Sequence, residues 1–285
     1  MKFFGELLDI MELQMSTPEP YGWFHILFLI LTVLATVIVC VFCKHKTRRQ
    51  VLSVVFGTAI VVTLLEIYKQ ICFTFEYVDG KFISDYAWYA FPWQFCSMPM
   101  YVGLLAGIFR KGKIHDALCA FLATYSIFAG ICVMLYPTTV FIGTIGINIQ
   151  TMVCHGSMVV IGIYLLYTGY VKMEHKTILK AMLVFASGVG IATIMNELAY
   201  HTGLLKTDEF NMFFISQYCA PSLPVYSEVQ KVVPYPLSLI IYIGAFTLAA
   251  YLILLVSMGF RHMAKAYPKG VRTKQYTLAI KNTGL

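Results

Sequence analysis

From Trp23 to Cys43 the chain contains no Asp, Glu, Lys or Arg, and comparable apolar stretches recur almost to its far end. A helix of roughly 20 residues crosses the hydrocarbon of a bilayer, where backbone polar groups must be satisfied internally. Long, uninterrupted apolar runs therefore leave the helix as the element to expect. Bounded by charges, the runs fall at 22–43, 51–73, 91–109, 114–135, 147–170, 178–200 and 236–260. The expected fold is an all-α membrane protein, a polytopic bundle of about seven transmembrane helices filling residues 21–260. Only 12% of residues are charged, against roughly 25% in soluble domains, which leaves no room for an ordinary soluble domain.

The net charge of +7 does not point to nucleic acid, because the basic residues flank apolar spans and no nucleic-acid-binding motif surrounds them. Their distribution reads as topology. Sixteen of the 21 Lys and Arg fall on one side of the alternating spans, in the groups around Lys44, Arg110, Lys172 and the tail 261–285. Positively charged loops stay in the cytoplasm, so the N-terminus is expected outside, the C-terminus inside, and the protein in the cell membrane. The opposite side holds 12 of the 14 acidic residues.

The first twenty residues carry Glu6, Asp9, Glu12 and Glu19, the wrong charge for the start of a signal peptide. Phe3, Phe4, Leu7, Leu8, Ile10 and Met11 recur near helical spacing. Segment 1–20 is accordingly expected outside the cytoplasm, as an interfacial helix. The eight cysteines lie mostly within apolar runs, so no disulfide framework is expected, nor any metal or cofactor.

Ionisable and amide side chains inside hydrocarbon are costly unless paired or facing a wet cavity, which makes each a candidate site residue. At 1.5 Å per residue, Glu66, Cys96, His155 and Asn196 all lie roughly 21–25 Å from the basic end of their spans, on the outer side. His25 lies slightly further out. Thr63, Glu66, Lys69 and Gln70 share a face of the second span, as Asn148, Thr151 and His155 do on the fifth. A polar cavity opening outward is the simplest arrangement. Glu66 with Lys69 or Gln70 also reads as an internal pair that fixes packing, His25 beside Trp23 as an interface anchor, and Asn196 as an interhelical bond. By contrast the inner half of the first span, the fourth span and the seventh span are almost purely apolar, which suits scaffold or lipid contact.

The order of Phe24-His25, Glu66, the stretch FPWQFCSMPM opening the third span, His155, and NMFFIS from Asn211 resembles the YwaF-type integral membrane proteins of bacteria, over residues 21–260. Distant eukaryotic relatives of that family include a transmembrane acyltransferase that remodels ether phospholipids. The resemblance implies a polar site on a bundle of this topology and membrane lipid as candidate substrate. The family's third span usually reads Pro-x-His-x-Cys, whereas here Gln94 stands between Pro92 and Cys96. An amide cannot take up a proton near neutral pH, so an acid/base role falls to His155.

Two readings follow. In the first, a lipid acyltransferase or acyl-ester hydrolase uses Cys96 as nucleophile and His155 as base, with Gln94, Asn196 or Asn211 donating to an oxyanion and Glu66, Lys69 and His25 lining the substrate site. In the second, the same pocket binds or transports a small ligand or lipid headgroup without chemistry. The charge asymmetry makes the orientation testable: an introduced thiol at Asp208 should react with an impermeant reagent on intact cells, and one at Lys111 should not. The reverse pattern inverts the topology.

Overall fold

The computed structural model describes residues 2–43, 47–78, 80–203, 209–219 and 223–266. It is a helical bundle, with six helical spans long and apolar enough to cross a membrane among the described residues. After α1 (Lys2–Met11) come α2 (Trp23–Phe42) and α3 (Arg48–Cys72), then a hairpin of β1 (Phe75–Val78) and β2 (Lys81–Ser84). Next are the short α4 (Met98–Ile108), α5 (Gly112–Leu122) and α6 (Tyr125–Leu135), the long α7 (Ile145–Tyr167) and α8 (His175–Thr202), and finally α9 (Pro224–Val232) and α10 (Tyr235–Ala266).

The apolar runs at both ends of the chain fold as expected, but the third span is shortened. Phe91–Gln94 are not helical, Phe95–Ser97 form a 3-10 turn, and regular helix begins only at Met98. Pro92 has no N–H to donate and biases the residue before it away from helix, whereas Pro99 sits in the first turn of α4, where the missing donor costs nothing. The fourth span is broken between α5 and α6. Thr124 N–H turns to Phe121 O while its hydroxyl takes Ala120 O, so the side chain substitutes for the backbone bond that would have carried the helix through.

Two connections hold more structure than their sequence announces. Residues 75–84 form the antiparallel hairpin, turning through Gly80 at φ +78°, a conformation glycine adopts without steric cost. Beyond α8, a 3-10 turn at Met212–Phe214 and α9 occupy the long connection to α10. At the N-terminus α1 exposes Phe3, Phe4, Leu7 and Ile10 on one face and buries Gly5 and Leu8. Tyr68 on α3 donates to Met11 O, and Met15 N–H and Ile145 N–H pair the following strand-like segment with residues 143 and 13. The basic tail expected at 261–285 lies outside the described residues from 267 onward, and α10 extends six residues beyond the boundary expected at 260.

Burial ranks the helices. Along their most apolar stretch, 67% of α7 and 72% of the α5–α6 span are buried, against 17% for α2 and α10. The inner column is therefore α7 with α5–α6, and α2, α3, α8 and α10 form the outer wall. Of the two roles expected for the purely apolar spans, the fourth takes the scaffold role in the core, and α2 and α10 present most of their surface outward. Centrally, Phe95 packs against Phe121, Phe185, Phe213 and Phe246 with ring centroids 5.1–6.4 Å apart.

Helix approach in the column depends on glycine. A Cβ at Gly162 on α7 would sit 2.2 Å from Ile127 Cγ1 and 2.7 Å from Leu122 O, whereas one at Gly57 on α3 would meet nothing within 4 Å. Overpacking of this kind costs roughly 1–3 kcal/mol. Gly162→Leu should therefore lower the thermal midpoint of the detergent-solubilised protein by several degrees, while Gly57→Ala leaves it unchanged or raised.

Candidate active site

The last turns of α3 hold a charged node. Glu66 is buried, and its Oε1 accepts from Lys69 Nζ and from Gln70 Nε2, both at 2.7 Å. Spacings of three and four residues place all three on one helix face. Oε2 accepts from Gln150 Nε2 on α7 at 3.2 Å. Gln70 also donates to Ala90 O and accepts from the Tyr86 hydroxyl. A buried carboxylate needs such company, since an uncompensated charge in low dielectric costs several kcal/mol.

Beside this node lies Cys96, in the 3-10 turn that precedes α4. The residue is exposed and lines a cavity of about 30 Å³, room for a water molecule or two, together with Cys154, Ser126 and Ser157. Met100 lines that cavity and also a cleft of about 350 Å³ beside Glu66, Gln70 and Tyr101. Glu66 and Lys69 act electrostatically on both Cys96 and Cys154. The charged node thus borders a cleft at the α3–α4 seam, and Cys96 lines a separate small cavity that shares Met100 with it.

His155 is buried on α7, where α6 passes so closely that a Cβ at Gly130 would lie 2.7 Å from the His155 carbonyl. Its Nδ1 lies 2.7 Å from Thr151 O. A carbonyl only accepts, so Nδ1 carries the proton of the neutral ring and Nε2 is a bare lone pair. That Nε2 is buried without a hydrogen-bond partner, an unusual state for a polar atom in a protein interior. No hydrogen bond joins it to Cys96 among the described residues.

The remaining amides form a separate cluster. Gln94 donates to Asn211 O at 3.0 Å and accepts from Phe213 N–H at 2.8 Å. Asn196 on α8 donates to Met212 O at 3.0 Å and accepts from Met212 N–H at 2.8 Å. Asn211 accepts from Ser216 N–H, and Tyr242 on α10 donates to Phe213 O. Together they clamp a buried loop in which Phe213 and Phe214 have φ of 59° and 56°, strained values for aromatic residues. Asn196 therefore lies with Gln94 and Asn211 at the loop, away from the cavity that Cys96 lines.

His25 is fully buried, with Nδ1 accepting from Tyr21 N–H at 2.8 Å and Nε2 donating to Met134 O at 2.7 Å. It ties the start of α2 to the end of α6, while its neighbour Trp23 is the residue exposed as a belt aromatic would be. Sequence reasoning passed over Gln150, Cys154 and Tyr86. Gln150 and Cys154 are one turn apart on α7, and Gln150 donates toward Cys154 Sγ at 3.4 Å. The only sequence signal was an amide one turn before a cysteine within an apolar span.

The sequence model of the TMEM164 family matches residues 20–256. Neither a curated protein nor a solved structure matches the chain.

Clamping by Asn196 has a measurable cost of removal. Asn196→Leu strands the buried N–H and C=O of Met212, at roughly 1–3 kcal/mol per group. It should speed amide exchange at Met212 and Phe213 and lower the thermal midpoint, and unchanged exchange there would show that the clamp does not hold the loop.

Proposed function

Taking as premise that the chain belongs to the TMEM164 family of membrane proteins, we propose that it is a lipid acyltransferase or acyl-ester hydrolase whose chemistry runs through Cys96 and His155. One observation carries this reading: the Cys96 thiol opens onto a cavity that adjoins, at Met100, a cleft on the α3–α4 seam. A lipid ester entering from the bilayer by that seam meets a nucleophile flanked by a lysine. Lys69 balances negative charge that develops at the reacting carbonyl, and Glu66 holds Lys69 in place.

Cys96 Sγ attacks the ester carbonyl and its proton passes to His155 Nε2, through substrate or a water because the two side chains are not in direct contact in the resting bundle. The C–O bond breaks, the lysolipid oxygen takes the proton back, and the acyl group remains as a thioester on Cys96. An acceptor hydroxyl, of a second lysolipid or of water, then loses its proton to His155 and attacks the thioester, and the departing thiolate recovers that proton. Gln94, Asn196 and Asn211 act as positioning residues, since their amides hold the loop behind the Cys96 turn. His25 serves the same purpose from the α2 side.

A noncovalent lipid-binding or transport role is the second reading, and the missing Cys96–His155 hydrogen bond favours it. A thiol-directed lipid-ester probe separates the two. With the purified protein in phospholipid nanodiscs, labelling of Cys96 should fall by about 10²–10⁴ in His155→Gln, and turnover should vanish in Cys96→Ala. The double variant should be no worse than the worse single one, because nucleophile and base act as a unit. Full turnover in Cys96→Ala would overturn the covalent route.

A further inference from the structure

At the basic end of the bundle, remote in sequence depth from Cys96, a cavity of about 280 Å³ is lined by Arg48, Lys172 and Lys180 with Asp116 and Glu174. Cations outnumber carboxylates, and the pairing between them is slight: Lys180 lies 3.6 Å from Asp116, and Arg48 and Lys172 have no carboxylate partner among the described residues. Arg48 is nonetheless held. Its guanidinium lies 4.1 Å over the Tyr170 ring, and the Tyr170 hydroxyl bonds His115 Nε2 at 2.8 Å, whose Nδ1 reaches Ala106 O. His115 is buried, so the cation rests on a fixed floor at the wall of the cavity.

Next to this polar cavity runs an apolar groove of about 610 Å³ between α6, α7 and α10, lined by Ile131, Ile163, Val256 and Phe260 and by Arg261. Gly169 lines both spaces. The loop 168–173 thus joins a cationic chamber at membrane-surface depth to a greasy channel along the hydrocarbon, and an amphiphile with a phosphate head and acyl tails complements both.

We infer that this end binds one anionic phospholipid, its phosphate on Arg48 and Lys172 and a tail in the α6–α7–α10 groove. The occupant is a lipid of the adjoining leaflet, since a free phosphate uses only the chamber. This site is independent of the acyl chemistry proposed for Cys96.

Native mass spectrometry of the detergent-solubilised full chain tests it, with phosphatidylglycerol, phosphatidylcholine and inorganic phosphate as probes. Phosphatidylglycerol should be retained at least fivefold more than phosphatidylcholine, and each of Arg48→Ala and Lys172→Ala should lower its retention about fivefold, the usual worth of one basic residue at an anionic surface. Ser257→Trp, which fills the groove and leaves the chamber untouched, should lower retention of the lipid and not of phosphate. Cys96→Ala should retain the lipid fully. Equal retention of the two lipids, binding of phosphate as strong as that of phosphatidylglycerol, or indifference to both Lys172→Ala and Ser257→Trp overturns the proposal.

Discussion

Non-helical backbone at membrane depth is tolerated only where protein groups satisfy its N–H and C=O groups, and this constraint organises the upper half of the bundle. Two irregular segments lie there, residues 85–97 ahead of α4 and residues 209–216 beyond α8. Side chains from the neighbouring helices answer them in turn. Gln70 takes Ala90 O, Tyr101 takes Pro92 O, and Asn196 and Tyr242 take the backbone of 212–213, joined by Gln94 from the first irregular segment. The polar inventory of the spans is thus spent largely on backbone. The Nε2 of His155, by contrast, is buried without a hydrogen-bond partner among the described residues.

Cys96 owes its exposure to that same irregularity. In a continuous third helix it would sit one turn deep on a packed surface. The prolines instead delay the helix to Met98 and leave the thiol on a 3-10 turn facing a cavity. Behind it, Phe95 is locked among four aromatic rings and Gln94 is tied to the strained loop at Phe213. A glutamine suits this place better than a proton carrier would, because its single amide both donates and accepts across one loop, which a neutral imidazole, with its two nitrogens on opposite sides of the ring, does less directly.

The two ends of the bundle differ in kind. Toward the acidic end the polar groups are buried, mutually bonded and close to the Cys96 thiol. Toward the basic end they surround an open chamber with unpaired cations beside a long apolar groove. Residues that look alike in sequence therefore do different work: Lys69 neutralises a buried carboxylate, whereas Lys172 makes no ion pair among the described residues.

Much of the architecture was legible in the chain alone. Apolar runs such as Trp23–Phe42 and the 235–263 stretch are long and nearly free of charge, and lipid leaves such runs no option but helix. The helical face shared by Glu66, Lys69 and Gln70 followed from spacing, and their contacts are local ones. Contacts across the sequence were a different matter. That Glu66 meets Gln150, that the amides of Gln94 and Asn196 close on Met212 and Phe213, that His25 is bonded from both sides, and that the apolar fourth span is core all depend on which helices are neighbours. Periodicity places a residue at a depth and on a face of its own helix; only packing, through close approaches such as α6 on α7 at Gly130 and Gly162, decides which face looks at which.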